Sequence, residues 1–255
     1  MAGTHEQLAG TADQIRMLAG IYGDPLFWHQ VIAWDTEAIN LRRALLFLIH
    51  GRTPPPIRPV RSLLTHRDSR VRALACSALD HARDGGSCEQ LELLASDRSL
   101  RVRVAAKRAL EAIAGPRLLP PVLVHEPRPI MRVIVSDDSP HNAEMYGRLI
   151  RNLGCQVAVA RTEAGTLTEA LRTPPDLVVT DNQKWRDNSS GLRMTEELAG
   201  DPSLSEIVVI MASADPIEAA FLWNGGDHFI HKRFGSLYEV GRLVQEYLAS
   251  EGSAS

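Results

Sequence analysis

A chain of 255 residues, 44% hydrophobic and 23% charged, is ordinary globular material with room for one large domain or two modest ones. Its longest apolar runs, such as 44–49 and 207–212, fall far short of the ~20 residues of a membrane helix, and no basic segment leads into an apolar core at the N-terminus, so the expected location is the cytoplasm. The net charge of −3 divides unevenly, with 16 Lys/Arg against 12 Asp/Glu up to Arg117 and 12 against 19 beyond it. Cys76, Cys88 and Cys155 form neither an even set nor a CxxC spacing, which excludes a disulfide framework or a structural zinc site and leaves them as small buried hydrophobes.

Residues 27–50, with AINLRRALLFLI in the second half, read as a degenerate helical pair, and the cluster Pro54, Pro55, Pro56 and Pro59 marks a turn between helices. An internal repeat follows. SRVRALACSAL at 69–79 matches LRVRVAAKRAL at 100–110, an offset of 31 residues, aligning Arg70, Val71 and Arg72 with Arg101, Val102 and Arg103. Each copy follows a leucine pair, Leu63-Leu64 or Leu93-Leu94, and an acidic turn residue, Asp68 or Asp97. Apolar positions at helical spacing, several of them alanine, predict closely stacked helices. This pattern resembles the short HEAT-like repeat, a helix, an acidic turn and a second helix opening with Val-Arg; residues 27–50 then take the place of a terminal capping unit. The paired arginines are expected to pair with Asp68 and Asp97 on neighbouring turns, the competing reading being a basic face for DNA.

Residues 115–130 carry Pro116, Pro120, Pro121, Pro127 and Pro129, which deny a continuous helix and favour stiff extended backbone. The expected organisation is a HEAT-like helical solenoid over 1–115, a Pro-rich linker over 116–130, an α/β domain over 131–250 and a disordered tail over 251–255.

From Met131 onward, short apolar runs alternate with amphipathic segments, the signature of a parallel sheet covered on both faces. Strands are expected near 132–136, 156–160, 177–180, 207–212 and 228–231, and helices over 140–153, 162–171, 191–199, 216–225 and 237–248. Ligands of such sheets sit beyond the carboxyl ends of the strands, where strand order reverses. Those ends carry Asp137-Asp138, Asp181, Ser213 and Lys232. Clustered carboxylates repel one another unless a cation neutralises them, and all-oxygen ligation suits Mg²⁺. Lys232 and Ser213 supply an ammonium and a hydroxyl for phosphoryl oxygens, and Asp181, alone at the end of the central strand, is the best-placed nucleophile.

The runs VIVSDDSP, DLVVTD, VVIMASA and HFIHKRF resemble, in order and nearly in spacing, the receiver domain of bacterial response regulators, a flavodoxin-like (βα)5 fold with a five-stranded parallel sheet. The resemblance implies that Asp181 is the phosphorylated aspartate and that Asp137 and Asp138 form the acidic pair, with Asp138 the more direct Mg²⁺ ligand. It makes the backbone carbonyl of Gln183 a further ligand, Ser213 the switch hydroxyl, Lys232 the phosphate-pairing lysine and Phe229 the aromatic switch. Two features depart from the family pattern: Arg233 stands where proline usually follows the lysine, and the loop NQKWRDNSSG after Asp181 is longer. What the resemblance implies is a phospho-acceptor protein of a two-component phosphorelay, not an enzyme. A histidine kinase or phosphotransfer protein would load Asp181 and alter what protein the HEAT-like domain binds, and homodimerisation through the receiver is compatible with this. A constitutive adaptor and a DNA-binding regulator are the alternatives.

Overall fold

The computed structural model describes residues 25–50, 54–115, 130–182, 191–233 and 235–251. The described residues divide into two compact units, one within Met1–Glu126 and one within Pro127–Gly252. Of the expected Pro-rich linker only Gly115 at its threshold and Ile130 are described; Gln183 and residues 252–255 of the expected tail lie outside the described residues. Among the described residues no helix is long and apolar enough to cross a membrane.

The first unit is helical. Helices α1 (Pro25–Trp34) and α2 (Ala38–His50) are followed by α3 (Ile57–Ser62) running into a 3₁₀ turn at Leu63–Thr65, then α4 (Ser69–His81), a 3₁₀ turn at Gly85–Ser87, α5 (Cys88–Leu94) and α6 (Leu100–Ala114). The repeat is visible in burial: Val71, Ala75 and Ala78 on α4 and their equivalents Val102, Ala106 and Ala109 on α6 are all closed off from solvent. The leucine pairs are not equivalent, however. Leu63 and Leu64 are buried, whereas Leu93 is 74% exposed, and Leu91 fills the position that corresponds, at the same offset of 31, to buried Val60. Cys76 faces this core, where burial pushes its thiol up to about 12 and keeps it protonated.

The two acidic turn residues also do different things. Asp68 caps α4, its Oδ1 accepting from the Arg70 and Val71 main-chain N–H groups at 2.8 and 3.2 Å. Asp97 accepts the Ser99 main-chain N–H at 2.8 Å and also receives the Arg72 guanidinium as a two-pronged ion pair, Nε to Oδ2 at 3.0 Å and Nη2 to Oδ1 at 2.8 Å, and so joins one repeat to the next. The third nitrogen of Arg72 donates to the carbonyls of His66 and Arg67. Arg103, one repeat later, makes the same pair of bonds to the carbonyls of Asp97 and Arg98. Arg70, Arg72, Arg101 and Arg103 are only 3–6% exposed, so these four arginines present little cationic surface to a phosphate backbone.

The second unit is a five-stranded, all-parallel sheet in the order β2-β1-β3-β4-β5, formed by β1 (Arg132–Ser136), β2 (Gln156–Ala160), β3 (Leu177–Thr180), β4 (Val208–Ser213) and β5 (His228–His231). Its helices are α7 (Pro140–Asn152), α8 (Glu163–Arg172), α9 (Gly191–Gly200), α10 (Glu218–Trp223) and α11 (Ser236–Glu251). Strands β3 and β4 are buried throughout, as continuous apolar runs in a doubly covered parallel sheet should be. On one face Ile134, Val178, Val209 and Met211 pack with Met194, Leu198 and Phe221. β4 runs one residue further than the apolar run 207–212 suggests, because Ser213 continues the ladder: its carbonyl accepts from the Lys232 N–H at 2.8 Å. α10 is shorter than the expected 216–225, ending at Trp223 before the positive-φ Gly225. Gly226 then passes so close to the Phe221 ring that a Cβ would stand 2.1 Å from it, so a side chain there would require the ring to move.

Candidate functional site

Strand order reverses between β1 and β3, both of which neighbour each other while their onward connections go to opposite sides. The residues after these strands therefore share one rim with the ends of β4 and β5. Asp181 follows β3 directly, its N–H bonded to the Ser136 carbonyl at 3.2 Å, and Asp137 follows β1, its N–H on the Ala160 carbonyl at 3.3 Å. Both carboxylates are buried, at 3% and 2% exposure, and Ser213 at the end of β4 is buried as well.

Lys232, one residue past β5, reaches across the rim. Its Nζ donates to Asp181 Oδ2 at 2.6 Å and lies 3.5 Å from Asp137 Oδ2. Burial works against the ammonium, but the Asp181 hydrogen bond and the charges of Asp181 and Asp137 outweigh it and hold Lys232 above the usual lysine value. Burial likewise raises the Asp137 carboxyl, with the nearby Asp181 charge adding to it, against the pull of Lys232 and the Ser139 N–H. Asp137 Oδ1 is further held by that N–H at 2.9 Å and by Asn142 Nδ2 at 3.4 Å.

The structure brings Asp137, Asp181 and Lys232 together, with Ser213 on the adjoining strand end and the half-buried Asp138 following Asp137 in the chain. Among the described residues no group of three or more His, Cys, Asp or Glu is gathered closely enough to hold a metal ion. Of the three acids expected at the rim, Asp137 and Asp181 are bridged by Lys232. Like charges repel, and one ammonium between two buried acids relieves that repulsion. In donor type the set still fits a hard divalent cation: every acid offers only oxygen, and three carboxylates against one ammonium leave a negative surplus.

Phe229 lies beside Met211 in the β4/β5 register and against Phe221, ring centroids 6.0 Å apart, with His231 edge-on to it at 5.4 Å. The Lys232–Arg233 peptide is trans, no cis bond occurring among the described residues. Several neighbours of the site escape a motif search. Tyr146 on α7 is buried near Lys232, Asp137 and Asp181; burial raises its phenol while a Ser236 hydrogen bond and the Lys232 charge oppose it. Gly191 opens α9 so tightly against β3 that a Cβ would lie 2.3 Å from the Asp181 carbonyl oxygen. Gly191→Ala is therefore expected to destabilise the unit by about 1–3 kcal/mol, since backbone must shift to admit one methyl. Urea denaturation checks this, a wild-type midpoint refuting it. Asn182, which follows Asp181, belongs to none of the motifs and is a further neighbour of the site.

Residues 133–240 match the family model of the response regulator receiver domain. Among curated proteins, the methanol utilization control regulatory protein MoxX of Paracoccus denitrificans is 30% identical over 104 residues, 40% of this chain and 47% of its own. The probable transcriptional regulatory protein TcrX of Mycobacterium tuberculosis is 32% identical over 123 residues, 47% of this chain and 50% of its own. The chain thus spans about half the length of the curated relatives it matches. Among solved structures, the response regulator protein TrrA of Thermotoga maritima in complex with Mg²⁺-BeF aligns with a TM-score of 0.42 at 20% identity, over 46% of this chain and 99% of that one. A CheY-like receiver domain protein of Methanospirillum hungatei aligns with a TM-score of 0.44 at 15% identity, over 50% and 100% of the respective chains.

Proposed function

We propose, from the premise that residues 133–240 are a response regulator receiver domain, that Asp181 accepts a phosphoryl group from a histidine kinase or phosphotransfer protein and that the chain acts as a two-component response regulator. The observation that carries the reading is the Lys232 ammonium 2.6 Å from Asp181 Oδ2 on a rim where four strand ends meet. Asp181 attacks the donor phosphorus with a carboxylate oxygen, and the donor's leaving group departs with the bonding pair. Lys232 then pairs with the charge on the transferred group, and the Ser213 hydroxyl donates to one of its oxygens.

Asp137, Asp138, Asp181 and the backbone carbonyl of Gln183 would hold Mg²⁺, which supplies neutralising charge to the phosphoryl oxygens. The switch follows from packing: Ser213 and His231 are register partners, as are Met211 and Phe229, so a shift of Ser213 toward the phosphoryl group is felt along β5 at Phe229. The helical unit, read as HEAT-like repeats from α3 to α6, is the output element, and its partner is a protein. The reading is that of a cytoplasmic phospho-acceptor rather than a turnover enzyme.

Incubation of the full chain with acetyl phosphate and Mg²⁺ is expected to produce one phosphorylated species, mapped by peptide mass spectrometry to Asp181 and missing in Asp181→Asn. An unlabelled wild type, or equal labelling of the variant, overturns the reading.

A further inference from the structure

Asn182, next to the acceptor, has a side chain whose hydrogen bonding is half complete. The residue is 8% exposed. Its main-chain N–H donates to Asp181 Oδ1 at 2.6 Å, and its Nδ2 donates across the rim to Asp215 Oδ2 at 3.2 Å. Asp215 in turn donates its main-chain N–H to Ser213 Oγ at 3.1 Å. A bridge therefore runs from the acceptor through Asn182 and Asp215 to the switch hydroxyl, joining the loops after β3 and β4.

Chemistry fixes which way the amide faces. A carboxylate accepts and does not donate, so the NH₂ must meet Asp215, and the carbonyl oxygen is turned away from it. That oxygen, Oδ1, is sealed from solvent and has no hydrogen-bond partner. Buried carbonyl oxygens in folded proteins are nearly always satisfied by protein or by water. An oriented, buried, unfilled acceptor beside the residue to be phosphorylated fits a donor that arrives with the chemistry.

We infer that the Asn182 amide oxygen holds the water that hydrolyses phospho-Asp181, and so sets the lifetime of the phosphorylated state; this rests on the reading of Asp181 as acceptor. The water oxygen bonds to phosphorus as the bond between phosphorus and the Asp181 carboxylate oxygen breaks. The electron pair of that bond stays on Asp181, and the water's proton passes to a phosphoryl oxygen, giving inorganic phosphate and the free carboxylate. An amide oxygen is too weak a base to take the proton, so Asn182 contributes orientation. Asp215 acts through Asn182 as a positioning residue, aiming the amide.

The test uses full-length protein phosphorylated with acetyl phosphate and Mg²⁺, freed of donor by desalting, its decay followed on phosphate-affinity gels. Asn182→Leu, similar in size but without the acceptor, is expected to slow decay about tenfold with uptake of the phosphoryl group retained. Asp215→Ala is expected to slow it by a smaller factor, and the double variant to decay like Asn182→Leu alone, since Asp215 has no separate route to the water. Labelled Asn182→Leu protein decaying at the wild-type rate, or additive slowing in the double variant, overturns the inference while leaving the acceptor reading intact. A wild type that takes no label overturns both. Should Asn182→Leu fail to fold, the exposed Asp215→Ala decides, wild-type decay there being the refuting result.

Discussion

Replacing Lys232 with methionine is expected to cut phosphoryl acceptance by about 10²–10³-fold, the usual cost of removing one preorganised donor from a site of developing negative charge. The side chain keeps its length and apolar stem, so the fold is retained while the ammonium between Asp181 and Asp137 is gone. Initial rates of acetyl-phosphate labelling measure the loss, and a variant within threefold of wild type would refute the role. The same substitution alters the pH dependence of stability. Asp137 sits in the fold with its carboxyl raised above its unfolded value, mainly by burial, so its protonated form is favoured in the folded state and stability falls as pH rises through the folded value. Lys232 opposes that shift, and its own raised value means that its contribution is present below the ordinary lysine pKa and disappears only in strong alkali. In Lys232→Met the opposing charge is lost, Asp137 rises further, and the decline in stability over the pH range above the ordinary aspartate value becomes larger. Urea titrations across that range check it, an unchanged slope counting against the pairing.

The receiver portion was legible because its signal is local and repetitive. A parallel strand covered on both faces must be apolar throughout, and the residue after it must stand on the sheet's rim, so VIVSDD and DLVVTD place Asp137 and Asp181 without knowledge of the helices between them. The hydrogen bonds that finish the site were not legible, since they depend on which loops lie side by side. Asn182 and Asp215 are brought together only by the adjacency of β3 and β4, and Tyr146 reaches Lys232 from the far side of the sheet's order. Nor did the order of charges in the sequence disclose that Lys232 bridges Asp137 and Asp181.

In the helical unit the repeat was readable but its acidic residues were not interchangeable. At the offset of 31 that aligns Val71 with Val102, Asp68 corresponds to Ser99 and Asp97 to His66. One position in the turn lies at the helix N-cap, where a carboxylate meets main-chain N–H groups; the other lies two residues earlier, in reach of the preceding repeat's arginine. A shift of two residues decides between capping a helix and tying two repeats together, and motif spacing read with tolerance blurs that distinction. The same tolerance paired Leu93-Leu94 with Leu63-Leu64, although Leu91 is the residue the fold buries.

The tie between repeats carries the largest stability effect expected of the helical unit. In Asp97→Ala the Arg72 guanidinium, on a side chain 7% exposed, keeps its bonds to the His66 and Arg67 carbonyls but loses its counter-charge. An uncompensated buried charge of this kind costs about 3–5 kcal/mol, far above the fraction of a kcal/mol that an exposed ion pair contributes. Arg61→Ala, which breaks the more exposed pair with Asp84, is expected to cost less, because its side chain is 33% exposed and water can replace part of what is lost. Arg72→Met removes the charge together with its need for a partner and fills the space with an apolar stem, while Asp97, 11% exposed, keeps the Ser99 main-chain N–H at 2.8 Å as a partner. Arg72→Met should therefore be the milder of the two changes at this pair, and Arg72→Met combined with Asp97→Ala milder than Asp97→Ala alone. Urea denaturation of the full chain, followed by circular dichroism, gives the order directly. Equal midpoints for Asp97→Ala and wild type, or a double variant less stable than Asp97→Ala, would show that the repeats are held by apolar packing and that this ion pair is incidental to it.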